Sequence, residues 1–68
     1  MNANKIGNKL IDQRTKKGET QKDVADAIGT SVSTVAMYES GKRIPKDDLK
    51  VKLANHFECS VTTLFYCD

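Results

Sequence analysis

The chain has 68 residues, 38% of them hydrophobic and 29% charged, with a formal net charge of +2. That length holds one domain with a modest core, and the composition excludes both a disordered tail and a heavily basic arm. No apolar run is long enough to span a bilayer and no signal peptide is expected, so Cys59 and Cys67 read as reduced thiols of a cytosolic protein.

Residues 1–4 read as a frayed start. From Asn4 to Lys17 the apolar positions Ile6, Leu10 and Ile11, continued one turn on by Arg14, predict a helix that Gly18 ends. Gly7 is a weak point within it, costing about 1 kcal/mol relative to alanine. Thr20 is placed to cap a second helix starting at Gln21, because its hydroxyl can accept a free backbone N–H of the first turn. Val24, Ala25 and Ile28 fall on one face of that helix, with Ala25 small where another helix must approach. Gly29 ends it, since only glycine takes a left-handed cap there without strain.

Ser31 is a good cap for a third helix, from about Val32 to Ser40. Val35 and Tyr38 point inward, leaving Val32, Ser33, Ala36 and Met37 outside. Gly41 stops this helix, and Lys42, Arg43 and Lys46 cluster beyond it. Pro45 opens the next segment, where Asp47 or Asp48 is expected to cap a fourth helix and to complement its dipole. Leu49, Leu53 and Phe57 recur at helical spacing with Ala54 beside them, and Lys50 and Lys52 are assigned to the outer face. Ser60 caps a short last helix carrying Val61, Leu64 and Phe65. The expected fold class is all-α: a compact five-helix domain over residues 1–68, with almost no strand.

Chemistry at side chains has little support. His56-x-x-Cys59 with Cys67 supplies three conceivable metal ligands but no fourth and no paired C-x-x-C. Core packing for Cys59 and a free surface thiol for Cys67 fit better, and no metal or cofactor is expected. His56 is the sole histidine and has no nucleophile at a convincing spacing, so an enzyme is not expected.

The informative segment is Thr20 to Pro45, TQKDVADAIGTSVSTVAMYESGKRIP. It reads as helix, glycine turn, helix and basic exit loop: a helix-turn-helix at about residues 20–41, pointing to DNA as the partner. It resembles the lambda-repressor/Cro-type helix-turn-helix family, also called the XRE family. That pattern is T-Q-x-x-[LV]-A-x-x-[LI]-G-[VT]-S-x-S-T-[IV]-x-x-[YWL]-E-x-G-x-R-x-P, and Thr20, Gln21, Val24, Ala25, Ile28, Gly29, Ser31, Ser33, Thr34, Val35, Tyr38, Glu39, Gly41, Arg43 and Pro45 match it. The similarity reaches from about Ile6 to Leu64-Phe65, nearly the whole chain. Asp47 departs from the aliphatic residue common two positions after the proline, but it matches a subgroup with R-I-P-x-D-x-[IL]-K-[IV]-K-[IL]-A.

The resemblance implies a lambda-repressor-like fold and a set of contacts. Gln21 would bond a phosphate at the start of the second helix, where free N–H groups and the positive dipole end meet an anion. Lys42 and Arg43 would clamp another phosphate, with a solvated charge cluster as the alternative. Ser31, Val32, Ser33 and Met37 match the base-facing positions. Val32 and Met37 can touch thymine methyl groups but cannot make bidentate hydrogen bonds, so weak direct readout and some shape readout are expected. Met37 at a protein interface, and Tyr38 reaching a phosphate from the core, are the other readings of those residues. Arg14 and Glu39 resemble a family ion pair that orients the recognition helix, with solvation of both as the alternative.

The implied function is a sequence-specific regulator of double-stranded DNA, a cytoplasmic repressor acting by operator occupancy. Family relatives bind palindromes as dimers, so a homodimer is expected, with DNA helping to assemble it and the apolar residues Val61, Phe65 and Tyr66 as its surface. The alternative is an antitoxin-like or anti-repressor module that grips another protein with the same fold. Val32 and Met37 favour that alternative, whereas Gln21, Lys42 and Arg43 speak against it.

Overall fold

The computed structural model describes residues 2–66. Helix α1 spans Ala3–Lys16, α2 Gln21–Ile28, α3 Val32–Glu39 and α4 Asp47–His56, and a π-helical turn closes the described chain at Thr62–Tyr66. Among the described residues there is no strand. The all-α, five-element architecture expected from the sequence is the one observed.

Hydroxyl and carboxamide caps start most of these elements. Asn2 caps α1, its Oδ1 accepting the Lys5 N–H at 3.1 Å, so the helix begins at Ala3, before the expected Asn4. Thr20 and Asp23 form a reciprocal box at the start of α2: Thr20 Oγ1 accepts Asp23 N–H at 3.1 Å, and Asp23 Oδ2 accepts Thr20 N–H at 2.9 Å. Those bonds, the backbone one foremost, hold the Asp23 carboxyl below the ordinary aspartate range. Ser31 caps α3 through Thr34 N–H, and Ser60 caps the closing turn through Thr63 N–H. Helix α4 differs from expectation. Its cap position is Lys46, which makes no side-chain cap bond, while Asp47 and Asp48 lie inside the first turn. They complement the helix dipole but do not cap.

The core gathers one face from each element. Ile6 and Leu10 of α1, Val24, Ala25 and Ile28 of α2, and Val35 and Tyr38 of α3 are buried. Leu53 and Ala54 of α4 and Phe57 just past its end meet them from the other side, and Leu64 and Phe65 close the bottom. Helix α1 packs on α3 and on the closing turn, and α2 packs on α3 and α4. Cys59 is half-buried against this core, and burial pushes its thiol pKa up. Cys67 lies outside the described residues.

Two positions overturn their sequence reading. Gly7 is where α1 crosses the end of α3: a Cβ there would sit 2.9 Å from Tyr38 O and overlap Glu39 O. The missing side chain permits the contact, so the glycine is a packing requirement and not simply a helix defect. Lys50, assigned to the outer face, is buried. Its stem lies in the core stripe with Ala54 and Phe57, and its Nζ donates to Tyr66 Oη at 3.0 Å. The ammonium also sits 5.0 Å from the Tyr66 ring centroid and 5.9 Å from that of Phe65. The bond to Tyr66, ahead of the other causes, holds the Lys50 pKa above its ordinary value.

Candidate nucleic-acid interface

Helix α2, the turn at Gly29 and helix α3 form the helix-turn-helix. Gly29 takes φ 75°, ψ 39°, and its N–H bonds Ala25 O, so the chain reverses within two residues. Thr30 N–H then bonds Ala25 O at 2.9 Å, and Ser31 starts the next helix. This short connection turns Val35 and Tyr38 inward and leaves Val32, Ser33 and Met37 exposed on the opposite face of α3. Ser31 is exposed too, but its Oγ is occupied by capping and by a 2.9 Å bond with Thr34 Oγ1. Any contact it makes outside the protein depends on its remaining hydrogen-bonding capacity.

Lys42 and Arg43 follow α3 directly and are exposed. Their backbone N–H groups turn back to Met37 O at 3.0 and 3.3 Å, closing the helix end. The loop therefore offers side-chain charge to a partner, not backbone amides. Lys42, Arg43 and Lys46 make no ion pair among the described residues, whereas Lys22 is paired with Asp26 at 3.1 Å. A surface groove beside them is lined by Thr30, Thr34, Tyr38, Arg43, Ile44, Lys46 and Leu49. Tyr38 is a core residue, and burial raises the pKa of its phenol.

Glu39 lies at the meeting point of α1, α2 and α3. Its carboxylate accepts Arg14 Nε at 2.7 Å on Oε2 and Arg14 Nη2 at 3.2 Å on Oε1. Gln21 Nε2 donates to the same Oε1 at 2.9 Å. Arg14 Nη1 also donates to Glu19 O at 2.9 Å, in the loop before α2. The bond to Glu39 raises the Arg14 pKa further above its already basic value. The sequence reading paired Arg14 with Glu39 but gave Gln21 no internal partner. Because Gln21 and Glu39 lie on different helices, no periodicity within either helix signals that contact.

Among the described residues no group of His, Cys, Asp and Glu is arranged to hold a metal ion. His56 Nε2 is instead 2.6 Å from Glu19 Oε1, and its ring meets Phe57 edge-on at 5.0 Å. No helix of the described residues is long and apolar enough to cross a membrane.

The helix-turn-helix family profile matches residues 10–64. The chain belongs to the helix-turn-helix family. The match takes in the second half of α1, α2, the turn, α3 and α4, in accord with the lambda-repressor/Cro-type resemblance of the sequence. The relatives found are named as regulatory proteins: a transcriptional repressor, a controller protein and a gene regulator. The cryptic phage CTXphi transcriptional repressor RstR of Vibrio cholerae serotype O1 is 38% identical over 60 residues, which are 88% of this chain and 54% of the repressor. The chain thus spans about half the length of that curated relative. The restriction-modification controller protein C.AhdI from Aeromonas hydrophila superposes with a TM-score of 0.86 at 32% identity, covering 93% of this chain and 96% of the controller. The clp gene regulator ClgR from C. glutamicum shares the fold at 22% identity, with a TM-score of 0.83 over 94% of this chain and 83% of that one.

Proposed function

We propose that this chain is a sequence-specific double-stranded-DNA-binding repressor that acts in the cytoplasm by occupying a palindromic operator as a homodimer. One observation carries the reading. The exposed face of α3 lies directly beside Lys42, Arg43 and Lys46, cations with no ion-pair partner among the described residues. Phosphates supply the counter-charge those groups lack, and base edges meet Ser31, Val32, Ser33 and Met37. Gln21 opens α2, where its amide and the free backbone N–H groups of the first turn can receive a second phosphate. Val32 and Met37 read thymine methyl groups by apolar contact, so each half-site is specified weakly.

Size supports the dimer. The molecule measures 26 × 24 × 22 Å. Half-sites one helical turn apart are separated by about 34 Å, which one copy cannot bridge. The surface expected for self-association changes in one respect: Phe65 is buried in the core, so Tyr66 and half-buried Val61 are what that end exposes. An apolar surface this small favours assembly on DNA.

A protein-binding role, antitoxin-like or anti-repressor, is favoured by one feature: Val32, Met37 and Ile44 are all exposed around the motif. Selection of bound duplexes from a random library at near-physiological salt separates the two readings. An enriched palindrome with half-sites about one helical turn apart is the expected result. Absence of any enriched sequence overturns the operator reading and leaves the protein-binding one.

A further inference from the structure

Glu39 is badly placed for the stability of its own helix. It is an acidic residue at the C-terminal end of α3, where the dipole is negative, and its side chain is only 5% exposed. Arg14 offsets that cost with two hydrogen bonds, but the third bond, from Gln21, goes beyond charge compensation. It ties the recognition helix to the first residue of α2.

The chemistry of that bond fixes how Gln21 is presented. An ionised carboxylate only accepts, so the Gln21 carboxamide must turn its NH2 toward Glu39 and its oxygen away. One N–H is used on Oε1 of Glu39. The second diverges from it, and no acceptor among the described residues takes it. Gln21 is half-buried, so an outside acceptor can reach that proton.

We propose that Glu39 is a positioning residue for DNA: it locks the Gln21 carboxamide so that the second N–H points at a backbone phosphate of the operator. Arg14 holds the carboxylate in turn, and its bond to Glu19 O fixes the loop that leads into α2. The contact to phosphate thus begins three side chains deep, and it is made only when α1, α2 and α3 are correctly assembled. This inference rests on the DNA-binding reading above.

The test scans the selected duplex with a single uncharged methylphosphonate at each backbone position, using the wild-type protein, Gln21→Ala, Glu39→Met, which removes the acceptor, and the double variant. At one position neutralisation should weaken wild-type binding about tenfold, the size of one hydrogen bond to a charged group, and leave all three variants nearly unaffected. The double variant should bind no worse than Gln21→Ala. If Glu39→Met weakens binding to every duplex alike yet keeps the wild-type sensitivity at that position, Glu39 is merely structural and the proposal fails. Binding whose scan does not depend on Gln21 overturns the positioning role alone, whereas absence of binding by the wild-type protein overturns the DNA reading with it. Should Glu39→Met lose its fold, the side-chain amide spectrum of the free wild-type protein decides. One Gln21 proton strongly shifted by the carboxylate supports the lock, and two ordinary amide protons overturn it.

Discussion

At the junction of α1, α2 and α3 a carboxylate is buried; at the junction of α4 and the closing turn an ammonium is. Glu39 receives three hydrogen bonds from two side chains, one of them a cation that is itself only 21% exposed. Lys50 has a phenol and two aromatic rings, and its carboxylate, Asp47 at 3.6 Å, is 99% exposed. The first junction is interdependent, because removing either charge leaves the other stranded in a site with little water. The second is not: the partners of Lys50 are neutral or fully hydrated, and none is left unsatisfied if the ammonium goes. Burial alone therefore does not tell how much a charged residue matters to the fold; the solvation of what it leaves behind does.

The largest effect should come from Arg14→Ala, which strands Glu39. A loss of about 3 kcal/mol in denaturant unfolding is expected, at the lower end for a broken buried pair because Gln21 still bonds the carboxylate. Glu39→Ala should cost less, since the Arg14 left behind is partly solvated. Equal losses would break the stranding argument. Gly7→Ala comes next, at about 2 kcal/mol, because the new methyl group meets backbone that cannot swing aside. An unchanged unfolding midpoint would show that α1 can shift away from α3 at little cost. Lys50→Met should cost less than about 1 kcal/mol, because the stem still packs and no opposite charge is left buried. A loss as large as that of Arg14→Ala would erase the contrast between the junctions.

The smallest effect concerns acid. Asp23 has its pKa lowered by the Thr20 bonds, so its contribution to stability is complete above the ordinary aspartate range and is lost as pH falls through the lowered value. Asp23→Asn should remove that part of the acid dependence and leave the slope at neutral pH unchanged. A variant that unfolds in acid along the wild-type curve would show that the box is not coupled to folding.

Much of this was legible in the residues. Cap residues announced α2, α3 and the closing turn, and the spacing of Val24, Ala25, Ile28, Val35 and Tyr38 gave the inward faces. What stayed hidden depends on partners distant in sequence. Lys50 has Ala54 and Phe57 at i+4 and i+7, which places it on the core stripe, but its charge argued for solvent and Tyr66 lies 16 residues on. Gly7 looked like a defect because nothing local shows that the end of α3 crosses it. The end of α4 also carries no glycine; Glu58 takes the left-handed turn instead, at φ 56°. In the candidate interface, the exposure of Val32, Ser33 and Met37 follows from helical period, whereas the bond between Gln21 and Glu39 required the helices to be assembled.

Helix α3 is fastened at its two ends and nowhere along its outer face. Ser31 holds the start, Glu39 holds the finish, and between them Val32, Ser33 and Met37 are exposed and make no side-chain hydrogen bond among the described residues. On the proposed reading, the residues that recognise a sequence and those that maintain the structure are separate sets. Operator preference can then drift by single substitutions on the outer face, each near neutral for stability, and descendants of this chain can part company in what they regulate long before they differ in how they fold.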